Sequence, residues 1–161
     1  MIESISIEKA VQRGHFIIRP RGVSMWPMIR NGKDSVLIEP VHGRLKKYDI
    51  PLYKDKYDRN VVHRIIKVTE DGYVICGDGL HEKEYDITDK NIFGVVRGFY
   101  RKEKFISCDS KAYMAYAKFW VGIMFLRKPI IETVRFKRRL KARVKEIYMR
   151  ITKGKNHLKN K

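Results

Sequence analysis

Asn60-Val61-Val62-His63-Arg64-Ile65-Ile66-Lys67-Val68-Thr69 is the stretch on which the fold turns. It reads as the longest strand of the chain. Asp71-Gly72 is a hairpin turn signal, and Tyr73-Val74-Ile75-Cys76 is the returning strand. Strand alternation predicts Val61, His63 and Ile65 on one face and Val62, Arg64 and Ile66 on the other. Working outward, the same punctuation recurs. Residues 15–19 form a strand stopped by Pro20, and residues 35–39 one ended by Pro40. Residues 50–53 read as an edge strand, because Pro51 cannot donate to a ladder. Residues 91–100 and 104–107 are two more, joined by a turn at Arg101-Lys102, and Asn31-Gly32 marks another turn. Short strands, frequent turns and no crossover helices predict an antiparallel sheet system, barrel-like or sandwiched.

The ends differ. Residues 2–13 predict a short helix closed by Gly14. After Ser107, Asp109 or Ser110 can cap a helix beginning near Lys111. Pro129 is expected to break it, with a second helix over 130–151. The expected class is therefore mainly β (α+β), with a β-rich domain over 1–108 and a basic helical tail over 109–161. The chain has 161 residues and a formal charge of +18. Residues 1–110 carry only +4 of it and residues 111–161 carry +14. The body is nearly balanced, so the tail has an electrostatic character of its own.

Two cysteines, Cys76 and Cys108, make no disulfide framework and point to a reduced, cytoplasmic setting. Cys76 follows Tyr73-Val74-Ile75 and reads as a packing residue. Residues 1–10 are charged and amphipathic, unlike a secretory signal. The longest apolar stretch, 112–126, is interrupted by Lys118 and falls short of the ~18–20 uncharged residues of a spanning helix. The five histidines are scattered, no Cys-x-x-Cys occurs, and no glycine-rich phosphate loop is present, so no metal or cofactor is expected.

The chemistry-bearing residues come in the order serine, histidine, acid. Ser24 sits in Gly22-Val23-Ser24-Met25-Trp26-Pro27-Met28, between a flexible pair and a rigid Met-Trp-Pro. His63 interrupts an apolar run, and Asp78 lies in Cys76-Gly77-Asp78-Gly79. A serine hydroxyl needs a neighbouring base to attack, histidine titrates in the right range, and an acid fixes its tautomer. Each alone has a bland reading: a turn serine capping a short helix at 25–29, a core histidine, a turn aspartate. Arg64 reads as a residue that fixes a neighbouring carboxylate or faces solvent.

Together the three segments resemble the signal-peptidase-like serine proteases, which share a β-fold with the self-cleaving SOS-type repressors. Ser24-Met25-Trp26-Pro27-Met28 is similar to the family's Ser-Met-x-Pro box, with Asn31-Gly32-Lys33-Asp34 where the family often has a Gly-Asp step. His63-Arg64 resembles the base box of the archaeal and endoplasmic-reticulum-type enzymes. Gly77-Asp78-Gly79 resembles the Gly-Asp-Asn box, and Asn91-Ile92-Phe93-Gly94-Val95-Val96 the strand after it. The likeness covers about residues 16–100. Gly79 stands where the family has Asn, and Gly22 where many bacterial members carry a hydroxyl residue. The resemblance implies a serine endopeptidase acting on an extended peptide or leader segment. Ser24 is then the nucleophile and its backbone N–H an oxyanion donor; His63 is the base and Asp78 the acid that orients it. Asp86 and Glu84 are the candidates for a second acid.

Two other functions compete: an inactive interaction module on the same fold, and a basic nucleic-acid-binding regulator. The related repressors bind DNA through an N-terminal helix-turn-helix, for which the residues before Gly22 leave no room, so nucleic acid is not the expected partner. In the tail, aromatic residues 113–125 precede a polybasic run, which suits a peripheral helix on an anionic membrane surface through 111–145. The bland alternative is a helix packed on the β body with its charges in water.

Overall fold

The computed structural model describes residues 7–158, with side chains at 135, 138, 145, 147 and 150–158 left out. The expected helical residues 2–6 lie outside it. The architecture is mainly antiparallel β: a curled half-barrel sheet, a second small sheet, and C-terminal helices.

A short helix α1 (Ile7–Gln12) leads into β1 (Phe16–Ile18), β2 (Asp34–Glu39), β3 (Pro51–Lys54) and β4 (Asn60–Val62). Then come β5 (Arg64–Val68), β6 (Tyr73–Cys76) and β7 (Glu84–Ile87). After one 3-10 turn, β8 (Ile92–Arg101) and β9 (Lys104–Ser107) complete the strands, and α2 (Lys111–Gly122) and α3 (Met124–Leu158) follow. The large sheet runs β1-β2-β8-β3-β4, with β9 also on β8; the small one runs β5-β6-β7.

Three expectations are corrected. The run 60–69 is two strands, parted at His63: β4 belongs to the large sheet and β5 to the small one. β3 is no edge strand, since it pairs with both β8 and β4. Pro51 is tolerated because it is the strand's first residue and is matched only to Val95 of β8. The break between the last two helices falls at Gly122-Ile123; Pro129 lies inside α3.

The core explains why the serine segment is apolar. Met25, Met28 and Ile29 pack with Val36, Ile38, Leu52 and Phe99 under the large sheet. A second cluster holds Tyr53, Ile65, Tyr73, Ile75 and Val95 between the two sheets. Helix α2 belongs to this body rather than to the tail: its Tyr113 and Ala117 are in the first cluster. Ser110 caps it, its Oγ accepting from the Tyr113 N–H at 3.3 Å. The chain divides into two compact units, Met1–Phe125 and Leu126–Lys161, where the sequence reading sets the boundary after Cys108. Among the described residues, no helix is long and apolar enough to cross a membrane.

Candidate active site

Ser24 lies in a turn between β1 and β2. The turn is anchored at both sides. Downstream, Asp34 is fully buried and takes hydrogen bonds from the Arg30 N–H (3.0 Å), Arg30 Nη2 (2.9 Å) and Arg101 Nη2 (3.0 Å). Burial opposes ionisation of Asp34, but these donors outweigh it and hold its carboxyl below the usual range. Arg101 also donates to the Met28 carbonyl at 2.5 Å, tying β8 to the end of the serine turn.

The other side of the turn is held by the Gly77–Gly79 loop. The Gly79 N–H donates to the Ser24 carbonyl at 2.6 Å. A Cβ on Gly79 would sit 2.5 Å from the Val23 carbonyl oxygen and 2.9 Å from that of Trp26. A Cβ on Gly77 would sit 2.5 Å from the Ser24 carbonyl oxygen and 3.1 Å from His63 Cδ2. Both glycines are therefore demanded by close approach of backbone to backbone. This gives a physical reason for Gly79 where the resembled family has Asn. The Ser24 carbonyl oxygen and His63 Cδ2 thus both lie beside Gly77, and both residues line one cleft of about 520 Å³.

His63 occupies the crossing from β4 to β5 and is nearly buried. Its Nδ1 lies 2.8 Å from Glu84 Oε1 and 3.0 Å from the Tyr53 hydroxyl, which itself donates to the same Glu84 oxygen at 2.7 Å. Burial opposes ionisation of Glu84, but hydrogen bonds from His63 and Tyr53 win and hold it below the ordinary carboxylate range. An ionised carboxylate only accepts, so the proton between Glu84 and His63 belongs on Nδ1. Neutral His63 then carries its lone pair on Nε2, the atom next to Cδ2 on the ring edge nearest Gly77. Burial and the Glu84 charge push the Tyr53 phenol well above its usual range, so it stays a donor.

Asp78 is not the acid on His63, and that assignment is corrected. Its carboxylate forms a two-point pair with Arg64, at 2.8 Å from Nε and 2.7 Å from Nη2, both side chains fully buried. The change of sheet at His63 is where the two side chains part: Arg64 opens β5 and reaches Tyr113 of α2, and it takes Asp78 with it. Arg64 Nη1 donates to the Tyr113 hydroxyl at 2.7 Å and to the Tyr48 carbonyl at 3.1 Å, and Trp120 Nε1 donates to the Asp78 carbonyl at 2.9 Å. Asp78 is thus a clamp. It fixes the loop whose next residue holds Ser24.

Of the two candidates for a second acid, Glu84 reaches His63, whereas Asp86 is exposed on the same strand. Both line a second cleft of about 560 Å³ that shares Arg59, Val61, His63 and Leu80 with the first. Tyr53 was not anticipated; a tyrosine in a short apolar strand carries no mark that sets it apart from core. Neither Cys76 nor Cys108 is in a disulfide, and burial pushes the Cys108 thiol up to about 11. No group of His, Cys, Asp and Glu among the described residues is arranged to hold a metal. Comparisons of the chain with protein-family models, with curated proteins and with solved structures found no match.

Proposed function

We propose that the protein is a serine endopeptidase of the signal-peptidase-like kind, with Ser24 as nucleophile, His63 as general base and Glu84 as the acid that fixes the base. One observation carries this reading. His63 is tethered at Nδ1 by Glu84 and Tyr53, while its opposite edge borders the cleft that Ser24 lines. Side-chain tethering of one imidazole nitrogen is what a base needs if the other is to take a proton in a fixed direction.

In the proposed reaction Ser24 Oγ attacks a peptide carbonyl carbon as His63 Nε2 takes the hydroxyl proton. The imidazolium is stabilised by ionised Glu84. The tetrahedral oxyanion is met by the Ser24 N–H. His63 returns the proton to the departing amine as the C–N bond breaks, leaving an acyl ester on Ser24. Water, deprotonated by His63, attacks that ester, and the carboxylic acid leaves with Ser24 restored.

The substrate is an extended peptide. β1 and β4 are the two end strands of the large sheet, and Ile18, Asn60, Val61 and Val62 from them line the Ser24 cleft. Unpaired edge backbone of this kind recruits a peptide as an added strand. The test is cleavage of a peptide library by the full chain, with labelling by a fluorophosphonate. Ser24→Ala should abolish both. His63→Ala should lower turnover by about 10⁴-fold or more. Unchanged turnover in either variant rejects the mechanism.

A further inference from the structure

The second compact unit carries a surface that the peptidase chemistry does not use. Leu126, Ile130, Phe136, Leu140, Val144 and Tyr148 of α3 are all exposed, from 37% to 67%. At 3.6 residues per turn, Phe136, Leu140, Val144 and Tyr148 advance by about 40° each, and Leu126 and Ile130 fall within the same arc of about 120°. The row from Leu126 to Tyr148 is about 33 Å long. Lys128, Arg139, Arg143 and Lys141 lie outside the arc, and Lys137 falls just inside one border; all five are exposed. From Leu126 onward the chain has fourteen Lys and Arg against only Glu132 and Glu146.

We infer that α3 binds an anionic lipid bilayer surface, lying in its plane with the Phe136–Tyr148 row in the acyl boundary and the basic side chains among the headgroups. Three partners could be weighed against this row. A second copy would bring one strongly cationic helix against another with almost no acid to offset it. Nucleic acid would satisfy the cations and leave the apolar row in water, where it gains nothing. An anionic membrane meets both halves of the pattern. Cations near the arc border can reach headgroups with their stems on the apolar side. The inference is independent of the peptidase reading, because none of these residues belongs to the site.

The experiment uses the full-length protein and sedimentable vesicles, either phosphatidylcholine alone or with a third of the lipid as phosphatidylglycerol. Binding should be at least about tenfold tighter to the anionic vesicles and should weaken as salt rises. The double variant Phe136→Ser, Val144→Ser keeps the charge and should lose about tenfold or more of that binding. Its affinity for random duplex DNA at the same salt should move less than about twofold. Phe136→Leu, Val144→Leu should bind vesicles like the parent, which separates lost apolar surface from a lost helix. Arg139→Gln, Arg143→Gln should weaken vesicle and DNA binding together. Equal binding to neutral vesicles, absence of binding, or a serine variant that binds as the parent does would each overturn the inference. So would a parent dimer in sedimentation velocity that the serine variant abolishes, because the row would then belong to a second copy.

Discussion

His63 and Arg64 are neighbours in the chain, each is partnered by a carboxylate, and the two pairs could hardly differ more. Arg64 and Asp78 are both fully buried, joined at two points and braced by Tyr113, Tyr48 and Trp120. His63 is nearly buried, but its partner Glu84 keeps about a third of its side chain in solvent. In the first pair burial opposes the charge on the Arg64 guanidinium, and the two-point contact with Asp78 outweighs it. The second pair is less enclosed, with Glu84 partly exposed on the Nδ1 side of the imidazole. One residue step across the break between β4 and β5 thus separates a buried fastener from the residue proposed above as the base.

The comparison can be broken most forcefully at Asp78. Asp78→Ala strands a buried guanidinium and should cost about 3–5 kcal/mol in urea unfolding, since removing one partner leaves an uncompensated charge. A loss under about 1 kcal/mol would mean the pair is not the fastener described here. Glu84→Gln should do the reverse. Stability should change by less than about 1 kcal/mol at neutral pH, while peptide turnover falls about a hundredfold; fixing the imidazole tautomer can be worth up to ~10⁴. Equal damage by both variants to stability would erase the distinction between the pairs. Tyr53→Phe removes one donor from Glu84 and should reduce turnover by roughly three- to tenfold at a stability cost of about 1 kcal/mol. The smallest effect concerns acid. The folded-state pKa of Glu84 lies below its ordinary value of 4.5, so its contribution is present above that value and lost as pH falls through the lowered one. Glu84→Gln should therefore lose less stability than the parent between about pH 7 and about pH 3, with the parallel contribution of Asp34 common to both. Urea midpoints at the two pH values check it.

Where the sequence carries strong local rules, it anticipates the structure. β2, β6, β8 and β9 fall within a residue or two of their expected ranges, because β-branched and aromatic runs bounded by turns leave little choice. Ser24 and His63 stand out because a polar residue in an apolar run needs a reason. The acid was misassigned for a physical cause. Asp78 sits between two glycines, which looks like a functional turn, and nothing local tells which of two adjacent cations it will face. Glu84 lies on β7, whose Glu84-Tyr85-Asp86-Ile87 has one buried apolar residue and no alternation, so the strand itself was invisible. The change of sheet at His63 is a tertiary event without a Pro or Gly to announce it. The helices part at Gly122-Ile123, where glycine is a poor helix former, and Pro129, the sixth residue of α3, is carried within it.

The bare α-carbons at 77 and 79 have a consequence for how this cleft could change its preferences. They let two loops touch through main chain alone, so the floor beneath position 24 has no side chain whose exchange could nudge it by a fraction of an ångström. A methyl group at either place must displace the hydroxyl-bearing turn as a whole. On the peptidase reading proposed above, retuning toward another peptide is left to the walls, at residues such as Arg21, Arg59 and Val61, where a new side chain alters the fit and leaves the anchored floor in place.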